Sequence, residues 1–129
     1  MLNTKYRIAL IAHDGKKAEM RDFVQAHADL LQQAQLFATA TTGTHIEAAG
    51  LKVEKKLSGP AGGDAQIAAL AAEGLLDVII FFRDPLGKHP HEPDIQMLMR
   101  ICDVHSVPLA TNMNSAKLIL RGLFFAKEY

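Results

Sequence analysis

A single cysteine in 129 residues leaves no partner for an internal disulfide and no Cys/His spacing of the kind that builds a structural zinc site. Cys102 stands among Leu98, Met99 and Ile101, where it reads as a small apolar core residue and fits a reducing, cytoplasmic setting. Net charge is missing as well. Fourteen Lys and Arg balance fourteen Asp and Glu, so bulk electrostatics favour neither nucleic acid nor an anionic membrane surface. Any anion site must therefore be local. No apolar run approaches the roughly 20 residues that span a bilayer, and the first residues lack a signal-like apolar stretch with a cleavage site. The expectation is a soluble, intracellular chain.

What is present is ample core material. With 49% hydrophobic residues, positions 1–129 read as one domain that folds without covalent or metal staples. Tyr6 to Ala12 predicts a strand, and Lys16 to Ala34 predicts a helix with Met20, Phe23, Val24, His27, Leu30 and Leu31 on one face. The same alternation recurs as Gln35 to Thr39 then Thr42 to Ala49, and as Lys52 to Leu57 then Asp64 to Glu73. It continues as Val78 to Phe82 then Pro93 to Ser106, and as Val107 to Thr111 then Ser115 to Gly122. Val78-Ile79-Ile80-Phe81-Phe82 is apolar on both faces, as a strand covered by helices on both sides must be. The predicted fold is α/β: a doubly wound, mainly parallel five-stranded sheet with helices on both faces, flavodoxin-like in kind. Gly74 falls where a helix closes on a left-handed residue.

In open parallel sheets ligands bind beyond the carboxyl ends of the strands, so the residues following each strand share one rim. That rim carries His13, Asp14, Lys16 and Lys17 after the first strand and Thr39, Thr41, Thr42 and Gly43 after the second. Arg83 and Asp84 follow the fourth strand, leading into a loop with Lys88, His89, His91 and Asp94; Thr111, Asn112 and Asn114 follow the fifth. Lys16 and Lys17 begin a helix, where the macrodipole disfavours cations, and a bound anion rationalises them better than helix stability does. Hydroxyls and amides at a helix start, as in Thr41-Thr42-Gly43, suit phosphate, although threonine also caps helices.

After the third strand comes the densest signal, Leu57-Ser58-Gly59-Pro60-Ala61-Gly62-Gly63-Asp64. Glycines allow positive φ and close approach to a ligand, Pro60 stiffens the turn, and the helix that follows offers unpaired N–H groups. Asp64 can serve there as a helix N-cap or as a base beside a bound anion. The spacing is neither that of a P-loop nor of a dinucleotide fingerprint.

His89-Pro90-His91-Glu92-Pro93-Asp94 offers imidazoles and carboxylates, but no further Cys or His cluster supports a closed metal site, and no cofactor is expected. The predicted fold would bring His91 near Asp64, Asp14, Asp84 and Asp94. An imidazole amid carboxylates suits proton shuttling. His27, His45 and His105 lie within helical patterns and are read as structural or solvated.

A phosphate cradle, a carboxylate base and a proton-moving histidine point to a small phosphorylated carbonyl compound losing a proton α to its carbonyl. The resulting enediolate has two exits. Reprotonation gives isomerisation, and loss of a β-phosphate gives elimination. Expulsion needs the C–O bond to phosphorus perpendicular to the enediolate plane, while an isomerase holds it in plane.

The blocks Ile11-Ala12-His13-Asp14 with Lys17, Ala38-Thr39-Ala40-Thr41-Thr42-Gly43 and Ser58-Gly59-Pro60-Ala61-Gly62-Gly63-Asp64 together resemble the methylglyoxal synthase family. So do Phe81-Phe82-Arg83-Asp84-Pro85-Leu86, Pro90-His91-Glu92-Pro93-Asp94 and Pro108-Leu109-Ala110-Thr111-Asn112. The blocks run in family order over nearly the whole chain. The resemblance implies a metal-independent lyase that converts dihydroxyacetone phosphate to methylglyoxal and phosphate. It further implies a homohexamer, with phosphate as product and candidate inhibitor. By the same resemblance Asp64 is the base and His91 the proton shuttle, with Asp94 and Asp14 shaping its charge. His13, Lys17, Thr39, Thr41, Thr42, Ser58 and Gly59 match substrate- and phosphate-binding positions. Ala40 departs from the family's glycine between the two threonine positions. Two other roles use the same rim: a non-catalytic regulatory module binding phosphate or another small ligand, and a sugar-phosphate isomerase.

Overall fold

The computed structural model describes residues 5–87 and 92–125, the side chains of residues 92–94 excepted. Strand alternation builds its two cores. In β1 (Arg7–Ala12), Ile8, Leu10 and Ala12 belong to one apolar cluster and Ala9 and Ile11 to the other. β4 (Val78–Phe82) divides the same way, Val78, Ile80 and Phe82 against Ile79 and Phe81. This period of two, with both faces buried, is why these runs read as continuously apolar.

The first face is covered by α1 (Lys17–Ala26), α2 (Ala28–Leu31), α3 (Ala40–Ala48) and α6 (Met113–Phe125), which contribute Met20, Phe23, Val24, Leu31, Ile46, Ala116 and Leu120. On the second lie α4 (Gly63–Ala72) and α5 (Glu92–His105), with Ile67, Ala68, Ala71, Ile95, Leu98 and Cys102. Burying one such Leu, Ile or Phe side chain contributes roughly 1.5–3 kcal/mol, so both layers are needed to hold the sheet.

Among the described residues the sheet has five parallel strands in the order β3-β2-β1-β4-β5, where β2 is Gln35–Ala38, β3 is Glu54–Lys55 and β5 is Leu109–Ala110. The predicted doubly wound α/β class is what the chain adopts. Its order reverses between β1 and β4, whereas flavodoxin itself reverses between its first and third strands. In sheets of this kind ligands bind beyond the carboxyl ends of the strands, near such a reversal.

Several boundaries differ from the sequence expectation. The single helix expected over 16–34 is three pieces: a 3₁₀ turn at Asp14–Lys16, then α1, then α2. The break is at His27 (φ −115°, ψ 20°), where the Phe23 carbonyl accepts both the backbone N–H and the ring Nδ1 contact of His27. The two edge strands are shorter than predicted, since each has one neighbour and a ladder on one side only. Thr39 leaves the second strand to become the N-cap of α3, which starts at Ala40. Gly74 takes the expected left-handed conformation (φ 75°), and Ser106 does the same (φ 55°) after α5.

Candidate active site

The loop after β3 is shaped by contacts that only glycine permits. Ser58 precedes a 3₁₀ turn over Gly59–Ala61, and its carbonyl accepts the N–H groups of Ala61 (3.1 Å) and Gly63 (2.8 Å). Gly62 closes that turn with φ 110°, a left-handed value strained for any side-chain-bearing residue. At Gly63 a Cβ would overlap the Leu57 carbonyl. Gln66, one turn into α4, reaches back so that its Oε1 accepts the Leu57 N–H at 2.8 Å.

This geometry settles the local role of Asp64. Gly62 occupies the N-cap of α4, and Asp64 lies in the helix's first turn, only 2% exposed. The N-cap reading of Asp64 is therefore not realised. Its carboxylate sits over Gly59, where an added Cβ would stand 3.4 Å from Oδ1 and 3.5 Å from Oδ2. A buried carboxylate at a helix N-terminus faces the positive end of the macrodipole.

Around it is a cleft of about 110 Å³, walled by Ile11, Ala12, His13, Asp14, Lys17, Thr39, Thr41, Ser58, Gly59, Pro60, Asp64 and Phe81. Of the residues singled out from the sequence, Asp64, Asp14, His13, Lys17, Thr39, Thr41, Ser58 and Gly59 thus meet on one wall or another. Thr42 does not line it: this residue is fully buried in the first turn of α3. His91 lies outside the described residues. Asp94 belongs to the first turn of α5, its side chain likewise outside them.

The hydroxyls and the ammonium line the cleft together. Thr39 and Ser58 both occupy N-cap positions yet make no capping hydrogen bond with their side chains. Lys17 Nζ donates to the Ala12 carbonyl at 2.8 Å and stands 3.5 Å from Asp14 Oδ1. The Lys17 side chain is mostly covered while that of Asp14 is fully exposed, so the ammonium is anchored by the end of β1 more than by the carboxylate. His13 is 5% exposed; its N–H donates to the Phe82 carbonyl (3.1 Å), and its ring meets Phe81 edge-on with centroids 5.1 Å apart.

Among the described residues, others of the rim lie apart from this cleft. Lys16, Glu19, Arg83, Pro85, Thr111 and Asn112 line a second hollow. Lys16 there stands 3.7 Å from Glu19, an i,i+3 pair that offsets the macrodipole penalty locally. Asp84 does not line the cleft, and its carboxylate packs against Gly15. Sequence reasoning missed the apolar walls Ile11 and Phe81 and the brace Gln66. The strand alternation carried a signal for the first two; a side chain returning nine residues to a backbone N–H carried none.

A carboxylate, a lysine and three hydroxyls line one cleft beyond the carboxyl ends of β1, β2 and β3 in a doubly wound α/β domain. An MGS-like domain model matches residues 19–111. The chain belongs to this methylglyoxal synthase family. It is 57% identical over 118 residues to the methylglyoxal synthase of Geobacillus sp. (strain WCH70), covering 91% of this chain and 84% of that one. With the methylglyoxal synthase of Bacillus subtilis (strain 168) the identity is 55%, over 91% and 86%. A crystal structure of methylglyoxal synthase from Elizabethkingia anophelis NUHP1 superposes with a TM-score of 0.88 at 40% identity, covering 97% of this chain and 83% of that one.

Proposed function

We propose that this chain is a methylglyoxal synthase, a carbon–oxygen lyase that needs no metal and converts dihydroxyacetone phosphate to methylglyoxal and inorganic phosphate. The observation that carries the reading is the buried Asp64 carboxylate sharing one small cleft with Lys17, Thr39, Thr41, Ser58 and His13.

In this reading the phosphate lies between Lys17 and the hydroxyls of Thr39, Thr41 and Ser58, close to the Gly59 backbone. Asp64 removes the C3 proton, and the electron pair forms the enediolate across C2 and C3. With the C1–O bond perpendicular to that plane, the pair shifts to C1–C2 as the C–O bond breaks and phosphate leaves with the bonding electrons. The enol that remains tautomerises to methylglyoxal. His91 passes protons between the enediolate oxygens, and Asp94 and Asp14 tune its charge, as their match to the family's blocks implies. His13 contacts the substrate oxygen, and Thr42 supports the phosphate loop from beneath. General-base catalysis of this kind is worth about 10²–10⁴ in rate.

The test is release of phosphate and methylglyoxal from dihydroxyacetone phosphate with a chelator present, for the intact protein and Asp64→Asn. Equimolar release that falls by at least about 10² in the variant supports the reading. Tight binding without turnover would make the protein a ligand-binding module, and a product that retains its phosphate would make it an isomerase.

A further inference from the structure

His13 is held by a residue 71 positions later. The backbone N–H of Asp84 donates to His13 Nδ1 at 2.9 Å. A ring nitrogen that accepts an N–H carries no proton, so the proton of the neutral ring resides on Nε2; protonating Nδ1 would set N–H against N–H. The ring has little freedom to escape this contact, being buried and edge-on to Phe81.

The direction of the Asp84 N–H is itself constrained. Oδ1 of Asp84 accepts the Leu86 N–H at 3.1 Å, closing a turn of Asx type just beyond β4. The other carboxylate oxygen lies over Gly15, where a Cβ would come within 2.5 Å of Oδ2. The side chain is thus clamped between the Leu86 amide and the Gly15 backbone, and the peptide that addresses His13 is fixed with it.

We propose that Asp84 is a positioning residue: through its own backbone N–H it holds His13 in the Nε2–H tautomer, so that the imidazole can only donate to an oxygen bound in the cleft. A neutral donor stabilises a developing enediolate oxygen without surrendering a full proton to it. This last consequence rests on the lyase reading; the tautomer does not.

Long-range ¹H–¹⁵N correlation of the imidazole nitrogens, with His13→Gln used for assignment, reads the tautomer directly in the full chain. The expected result is an Nε2–H signature in the unmodified protein and displacement toward a mixed tautomer in Asp84→Ala. In that variant kcat should fall about five- to tenfold, the scale of one lost hydrogen bond. Asp84→Asn keeps an oxygen for the Leu86 N–H, and should restore the signature and raise kcat above that of the alanine variant. Gly15→Ala presses on Oδ2 with Asp84 intact, and should move the same ring signals in the same direction. An Nδ1–H or imidazolium signature in the unmodified protein overturns the proposal. So does an unchanged signature in both Asp84→Ala and Gly15→Ala, or an asparagine variant as altered as the alanine one. A protein that turns over no dihydroxyacetone phosphate removes the lyase reading and leaves the tautomer measurement standing.

Discussion

Gly63 and the Leu57 carbonyl are in direct backbone contact, with no room for even a methyl group between them. The contact joins the end of the third strand segment to the start of α4, and it sets how far Asp64 projects over Gly59. Gly63→Ala therefore forces the loop away from the helix. Overpacking of this kind costs about 1–3 kcal/mol. The expected outcome is a lower denaturation midpoint together with loss of turnover, measured by urea titration and phosphate release on the same sample.

Gln66 braces the same loop from the helix side, its amide oxygen on the Leu57 N–H. Since this side chain is exposed, Gln66→Ala should cost only about 0.5–1.5 kcal/mol of stability. Its larger effect is expected on KM, because Ser58 and Gly59 follow directly. Steady-state kinetics with kcat and KM resolved separately would check this, and an unchanged KM would show that the loop holds without its brace.

Lys17 differs from a solvated surface lysine in that its ammonium is seated on the Ala12 carbonyl at the mouth of the cleft. Lys17→Met keeps much of the aliphatic stem and removes the charge. A charge-assisted phosphate contact is worth about 1.5–3 kcal/mol, so KM for dihydroxyacetone phosphate should rise roughly ten- to a hundredfold. Calorimetric titration with inorganic phosphate should weaken in parallel. Equal phosphate affinity in both proteins would remove Lys17 from the anion site.

Cys102 is 1% exposed within the α4–α5 layer. Burial, with a smaller contribution from the Asp103 carboxylate, pushes its thiol pKa from 9.0 up to about 11. The folded thiol should therefore ignore a soluble disulfide reagent at neutral pH and react only as the chain opens. The sign for stability follows from linkage. Below about pH 9 both folded and unfolded thiols are protonated and nothing changes. From about 9 to 11 only the unfolded chain releases this proton, so stability declines as pH rises. Substituting Cys102→Ala should flatten that part of the pH dependence.

The expected strand and helix alternation was legible because burial on both faces leaves a continuous apolar run at Val78–Phe82, and one-sided burial leaves Met20, Phe23 and Val24 at helical spacing. Helix breaks were not legible. The Lys16 to Ala34 pattern stays apolar on one face across His27, and only the imidazole's return to the Phe23 carbonyl marks the break. The candidate site was read in the same partial way. Asp64, Lys17, Thr39, Thr41, Ser58 and Gly59 were identifiable as residues following strands, yet nothing local distinguished Thr41, in the cleft wall, from Thr42, buried beneath it.

By itself the sequence determined the doubly wound parallel sheet, the two apolar layers and the Gly-rich loop that carries Asp64. These depend on periodicity and on backbone permissiveness, which are properties of neighbouring residues. Tertiary structure alone decided that the described rim residues divide between separate hollows, that the Lys17 ammonium rests on a strand-end carbonyl, and that a peptide N–H 71 residues away selects the tautomer of His13. Hydrogen bonds act over about 3 Å with a required direction, so their partners exist only once β1 and β4 are side by side.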